Sequence, residues 1–271
     1  SAVHFSDEEL DNISEIITVA IEDKEFLSGN ELVDAIKSKY PYTYEKNSAF
    51  SMVGLRDSIK YHLGHKFSFS GNIISKIGSS LTMSDVFANY CRGRDSFTLD
   101  ELNVLAGELG TVIYFDPVYE NSLRISNNRF VSKARAHFLV TDTDAALDRF
   151  CTGDYISIGK VSEFSLFPNA GFPWNEYLLE HYVAMYSDKY SLYHIGFNAN
   201  KCVGVIAKKS AGFESFDDCI TKILADSNII LRKEPALQYL CDEGYIARRI
   251  YTNIEELLIR ATAQRNRKEA N

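Results

Sequence analysis

The stretch Ser48–Ser75, SAFSMVGLRDSIKYHLGHKFSFSGNIIS, narrows the folds open to this chain more than any other. Met52, Leu55, Ile59 and Leu63 fall on one face of a helix, with Arg56 and Lys60 on another. Gly64 stands where a left-handed C-terminal cap is expected, because glycine reaches positive φ without a Cβ clash. Lys66–Phe69 then alternates polar and apolar, Ser70-Gly71 signals a turn, and Ile73-Ile74 can return as a second strand. A helix that stops at a glycine and runs straight into a hairpin needs further helices to cover its apolar side.

Those helices are legible upstream. Ser6-Asp-Glu-Glu9 is a capping box opening a helix through Leu10, Ile13, Ile17 and Ile21. Ser28-Gly-Asn-Glu31 repeats the signal before Leu32 and Ile36, and Tyr40-Pro41 stops that helix. The same order is expected twice more. In 81–140, Thr82 and Thr98 open helices, the latter ending at Gly110. Val112–Phe115 reads as a short strand, Pro117 as the start of a brief helix, and Asn127-Asn128 as the turn of a second hairpin. In 141–211, Asp142 caps a helix, and Ile158, Val161, Phe164 and Phe167 suggest another closed by Pro168. A third helix follows Pro173, and then a hairpin over Tyr190–Phe197 and Cys202–Ala207. Residues 212–271 read as helical without a hairpin, with 261–271 frayed. The expected architecture is α+β and mainly helical, in four segments: 1–80, 81–140, 141–211 and 212–271.

The first segment, through Leu55, Ile59, Leu63, Phe67 and Ile73 and its helix-to-hairpin junction, resembles the winged-helix superfamily, and most of all the HARE-type winged helix. That family is found attached to bacterial transcription subunits and restriction-like proteins. The resemblance covers about a quarter of the chain and implies contact with DNA or DNA-handling proteins. The helix Ser48–Gly64 would stand where recognition helices stand. The second and third segments are similar to winged helices in element order, so a tandem array is expected.

Charge is unevenly placed. The net charge is −8, and residues 1–45, with eleven acids against three lysines, carry all of it. Balanced charge elsewhere argues against a protein that coats nucleic acid non-specifically. Between Asn121 and Thr141 there is no acid, while Arg124, Arg129, Lys133 and Arg135 are present. On a hairpin these could pair with backbone phosphates. Arg56, Lys60 and Lys66 form a smaller cluster.

Catalytic signatures are missing. Gly153–Lys160 has one residue too many between its glycines for a phosphate loop, and Val161 replaces the metal-binding hydroxyl. His62 and His65 lack further ligands at metal-site spacing, and the five cysteines form no CxxC pair. The dispersed cysteines suggest reduced thiols and a cytoplasmic location. No apolar run approaches the roughly 20 residues of a membrane span. The expectation is a non-catalytic protein without cofactor or metal, regulatory or defence-type. It would bind double-stranded DNA through Arg56, Lys60, Lys66, Arg124, Arg129, Lys133 and Arg135. The alternative is an interaction scaffold that buries apolar faces against a partner protein or a second copy.

Overall fold

A computed structural model describes residues 3–270. The chain is α+β and mainly helical, and it divides into two compact units, one ending at Val118 and the other beginning at Tyr119. The division falls inside the expected 81–140 segment.

In the first unit, α1 (Asp7–Lys24) and α2 (Gly29–Lys39) both begin with the expected capping boxes, at Ser6/Glu9 and Ser28/Glu31. α1 ends on Glu25 in the left-handed conformation, φ 66°, which turns the chain into β1 (Phe26–Ser28). Pro41 stops α2 and also opens a short helix, α3 (Pro41–Lys46), because proline at a helix start loses no hydrogen bond. α4 (Met52–Leu63) is capped by the Ser51 hydroxyl and buries Leu55, Ile59 and Leu63. Gly64 differs from expectation: its φ is −63°, on the right-handed side. A Cβ there would come within 2.7 Å of the Lys60 carbonyl oxygen, so close approach, and not positive φ, accounts for the glycine. β2 (Phe67–Ser70) and β3 (Ile73–Lys76) pair across a two-residue turn whose Gly71 has φ 57°. β1 adds antiparallel to β3, giving the sheet order β1-β3-β2. Ile13, Ile17, Leu32, Ile36, Leu55, Ile59, Phe67 and Ile74 share one core beneath this sheet.

α5 (Met83–Arg92), β4 (Ser96–Thr98) and α6 (Leu99–Glu108) follow, with capping boxes at Thr82 and Thr98. Gly110, φ 65°, ends that helix region. Residues 112–114 form no strand; the apolar run leads instead into α7 (Phe115–Asn121), two residues ahead of Pro117. Within the first unit the Ser28 hydroxyl donates to the Glu108 carbonyl at 2.9 Å, and Asn72 donates to that of Leu109.

The second unit opens with the hairpin of β5 (Ser122–Ser126) and β6 (Arg129–Ser132), turning at Asn127-Asn128 as expected. A 3-10 turn, Lys133–Arg135, follows directly. α8 (Val140–Asp148) starts before Asp142, which lies in its first turn and does not cap it. β7 (Tyr155–Ser157) comes next, and the residues expected to form a helix over 158–167 instead make a 3-10 turn, Ile158–Lys160, and an irregular segment. Ile158, Val161 and Phe167 are still buried, and Trp174 Nε1 donates to the Pro168 carbonyl at 2.7 Å. Their spacing reflects side-chain anchoring of a loop. α9 (Glu176–Met185) is capped by Asn175. β8 (Tyr190–Tyr193) and β9 (Val205–Lys208) pair across an eleven-residue connection, Tyr193 opposite Val205, and β7 joins β9 to give the order β7-β9-β8. This repeats the β1-β3-β2 arrangement.

α10 (Phe216–Asp226), α11 (Lys233–Asp242) and α12 (Ile254–Glu269) complete the second unit around Ile220, Ile223, Leu237, Leu240 and Leu257. The expected frayed tail is helical to Glu269. Arg265 holds it, donating to the carbonyls of Leu224 and Ser227, both at 2.8 Å, and of Ile229 at 3.0 Å. The Leu224 and Ser227 carbonyls lie at the C-terminal end of α10, where helix carbonyls lack i+4 partners and a guanidinium can satisfy them.

Candidate nucleic-acid interface

The acid-free stretch divides into two populations. Arg124 was expected to face phosphate, but it is 0% exposed. β5 is buried on both faces from Ser122 to Ile125, so alternation along the strand gives the Arg124 side chain no solvent-facing side. The guanidinium donates to the carbonyls of Asn198 (3.0 Å), Ala199 (2.5 Å), Asn127 (2.7 Å) and Ser126 (3.3 Å). It also donates to the Tyr119 hydroxyl at 3.0 Å and lies 4.4 Å from the Tyr177 ring centroid. Arg124 is therefore a core residue tying the β5–β6 turn to the β8–β9 connection, and it leaves the set of candidate phosphate contacts.

Its neighbours form a buried polar cluster that sequence reasoning missed. The Tyr119 hydroxyl donates to Glu180 Oε1 at 2.6 Å. The Arg124 main-chain N–H donates to His181 Nδ1 at 3.0 Å, which fixes the imidazole proton on Nε2. Burial raises the Glu180 carboxyl to about 7, against the pull of Tyr119 and Arg124. Burial also lowers His181 to about 3, and Arg124 adds to that effect. The available signal was a charged pair, Glu180-His181, inside the run Leu178-Leu179…Tyr182-Val183, which is apolar all round a helix turn.

Arg129, Lys133 and Arg135 remain on the surface. Arg129 is at the start of β6, beside the turn. Lys133 Nζ donates to the Glu120 carbonyl at 2.9 Å near the end of α7 and stays exposed. The Arg135 guanidinium carbon lies over the Phe172 ring, 5.0 Å from its centroid, in cation–π range, and the residue stays exposed. His137 is also exposed. Arg129 thus sits at the closed end of the hairpin, and Lys133 and Arg135 follow its open end, past Ser132.

In the first unit the cluster is thinner. Lys60 and Lys66 are exposed, but Arg56 donates to Asp57 Oδ1 at 3.0 Å and to Asn72 Oδ1 at 3.3 Å. The outer face of α4 also carries Val53, 56% exposed, and Tyr61, 85% exposed.

Other candidates resolve into structure. Gly153–Lys160 contains β7, and Lys160 pairs with Glu243 at 3.2 Å. All five cysteines are free thiols, four of them buried. Among the described residues no group of three or more His, Cys, Asp or Glu is placed to hold a metal ion, and no helix is long and apolar enough to cross a membrane. No protein-family model matches the chain, and no curated protein is significantly similar to it.

Proposed function

We propose that this protein is a non-catalytic, nucleic-acid-associated array of winged-helix units that grips duplex DNA by its phosphates through Arg129, Lys133 and Arg135. One observation carries the reading: the 121–141 stretch holds no acid, its one buried arginine serves the fold, and its other three cations stay exposed, Arg129 at the start of β6 and Lys133 and Arg135 just past its far end. The winged-helix reading rests on the helix–strand–helix–hairpin order, with the first–third–second strand arrangement recurring in β1-β3-β2 and β7-β9-β8. Phosphate contacts position a protein without reading sequence, which suits a set of exposed cations. Fluorescence anisotropy of a labelled duplex across several salt concentrations tests it. Arg129→Ala and Lys133→Ala should each reduce the slope of log K against log salt by about 0.9. No binding at low salt, or unchanged slopes, would refute it.

A second reading applies to the first unit. The outer face of α4, with Met52, Val53 and Tyr61 exposed beside Asp57, is better suited to a protein surface than to a phosphate backbone. That unit then acts as an interaction scaffold in the same regulatory or defence-type protein.

A further inference from the structure

The second unit has a groove of about 390 Å³ between the β8–β9 connection and the segment after α11. Its floor is Phe197, Val203, Tyr245 and Ile246. Ile195 and Ile250 stand at its edges, 69% and 71% exposed. Two aliphatic side chains left that open on the lining of one groove with an apolar floor mark a surface suited to being covered.

Its walls are fixed. Gly204 N–H donates to the Gly244 carbonyl at 3.0 Å, and Lys201 Nζ donates to that of Ala247 at 2.9 Å. Gly204 has φ 141°, and a Cβ there would lie 2.7 Å from the Tyr193 carbonyl oxygen, so the connection closes this way only around glycine. The Arg124 bonds to Asn198 and Ala199 anchor the same connection from beneath. A preorganised groove does not have to order its own chain when a ligand arrives.

The charge around it has one sign. Arg248 lines the groove, Lys201 reaches its wall, exposed Arg249 follows, and no acid lines it. We infer that this groove binds an acidic, aliphatic-anchored peptide segment of a partner protein: a leucine or isoleucine seated between Ile195 and Ile250, with carboxylates paired to Arg248 and Lys201. The inference is independent of the DNA reading, which concerns 129–135.

The test is selection of a random phage-displayed peptide library on the full chain, followed by polarisation assays with the enriched peptides. The expected result is a consensus with an aliphatic residue among Asp or Glu. Its affinity should fall about tenfold or more in Ile195→Asp and Ile250→Asp, and should weaken with salt and in Arg248→Glu. Each substitution is at an exposed position, so an unchanged thermal midpoint separates lost binding from lost folding. A consensus that is basic or indifferent to these substitutions, or no enrichment, overturns the inference. So does light scattering that finds an oligomer which Ile195→Asp dissolves, since the occupant would then be a second copy.

Discussion

Replacing Arg124 with methionine should cost stability and spare any direct phosphate contact. Methionine preserves much of the length but none of the donors. The change would strip hydrogen bonds from the carbonyls of Asn198 and Ala199 and from the Tyr119 hydroxyl, and would leave Glu180 without its nearby cation. Each stranded buried group costs about 1–3 kcal/mol. These losses overlap, and loss of one partner from a buried charged network typically costs about 3–5 kcal/mol. For a unit of this size each kcal/mol moves the midpoint by about 2–4 °C, so a fall of about 6–20 °C is expected in the transition of the second unit. Differential scanning calorimetry would read it, with Arg129→Ala as the control expected within about 0.5 kcal/mol of the parent. An Arg124→Met protein that unfolds within about 1 kcal/mol of the parent would refute the assignment of this arginine to the core.

Glu180 and His181 should give opposing pH dependences. The folded Glu180 value, about 7, lies above the unfolded 4.5, so its ionisation penalises the fold as pH rises through that interval. The folded His181 value, about 3, lies below the unfolded 6.5, so its contribution is present above 6.5 and is lost as pH falls toward 3. Between 4.5 and 6.5 the two slopes cancel; Glu180→Gln should unmask the histidine, and denaturant titrations of that variant should show stability rising by up to about 1.4 kcal/mol per pH unit. A flat profile in the variant would contradict this. Arg265→Ala should cost about 1–3 kcal/mol and speed hydrogen exchange at 224–229 and in the last turns of α12. Unchanged exchange there would count against its capping role. Glu25→Gly should raise the stability of the first unit by about 1 kcal/mol, since a non-glycine residue holds a left-handed conformation there; a loss in urea unfolding would show that the Glu25 side chain matters more than its backbone.

The sequence was most informative where one local interaction decides an outcome. Ser6, Ser28 and Thr98 mark helix starts because their oxygens and the following glutamates satisfy specific amides, whatever the rest of the chain does. The hairpins at Gly71 and Asn127 were legible for the same reason. β1, β4 and β7 were not, since three residues such as Phe26–Ser28 carry too little alternation to register, and β1 is a strand only because β3 offers it an edge. The 158–167 helix was misread because buried anchors in a loop can mimic helical spacing. Arg124 and Arg129 are chemically the same residue on one hairpin; only the packing of α9 and the β8–β9 connection makes one a core group and leaves the other exposed.

Hydrogen exchange of the full chain, with and without a duplex at low salt, tests the central claim most directly. New protection is expected at 126–137, lost in a variant lacking Arg129, Lys133 and Arg135. Protection confined to α4 or to the 195–203 and 245–250 segments, or none at all, would contradict it.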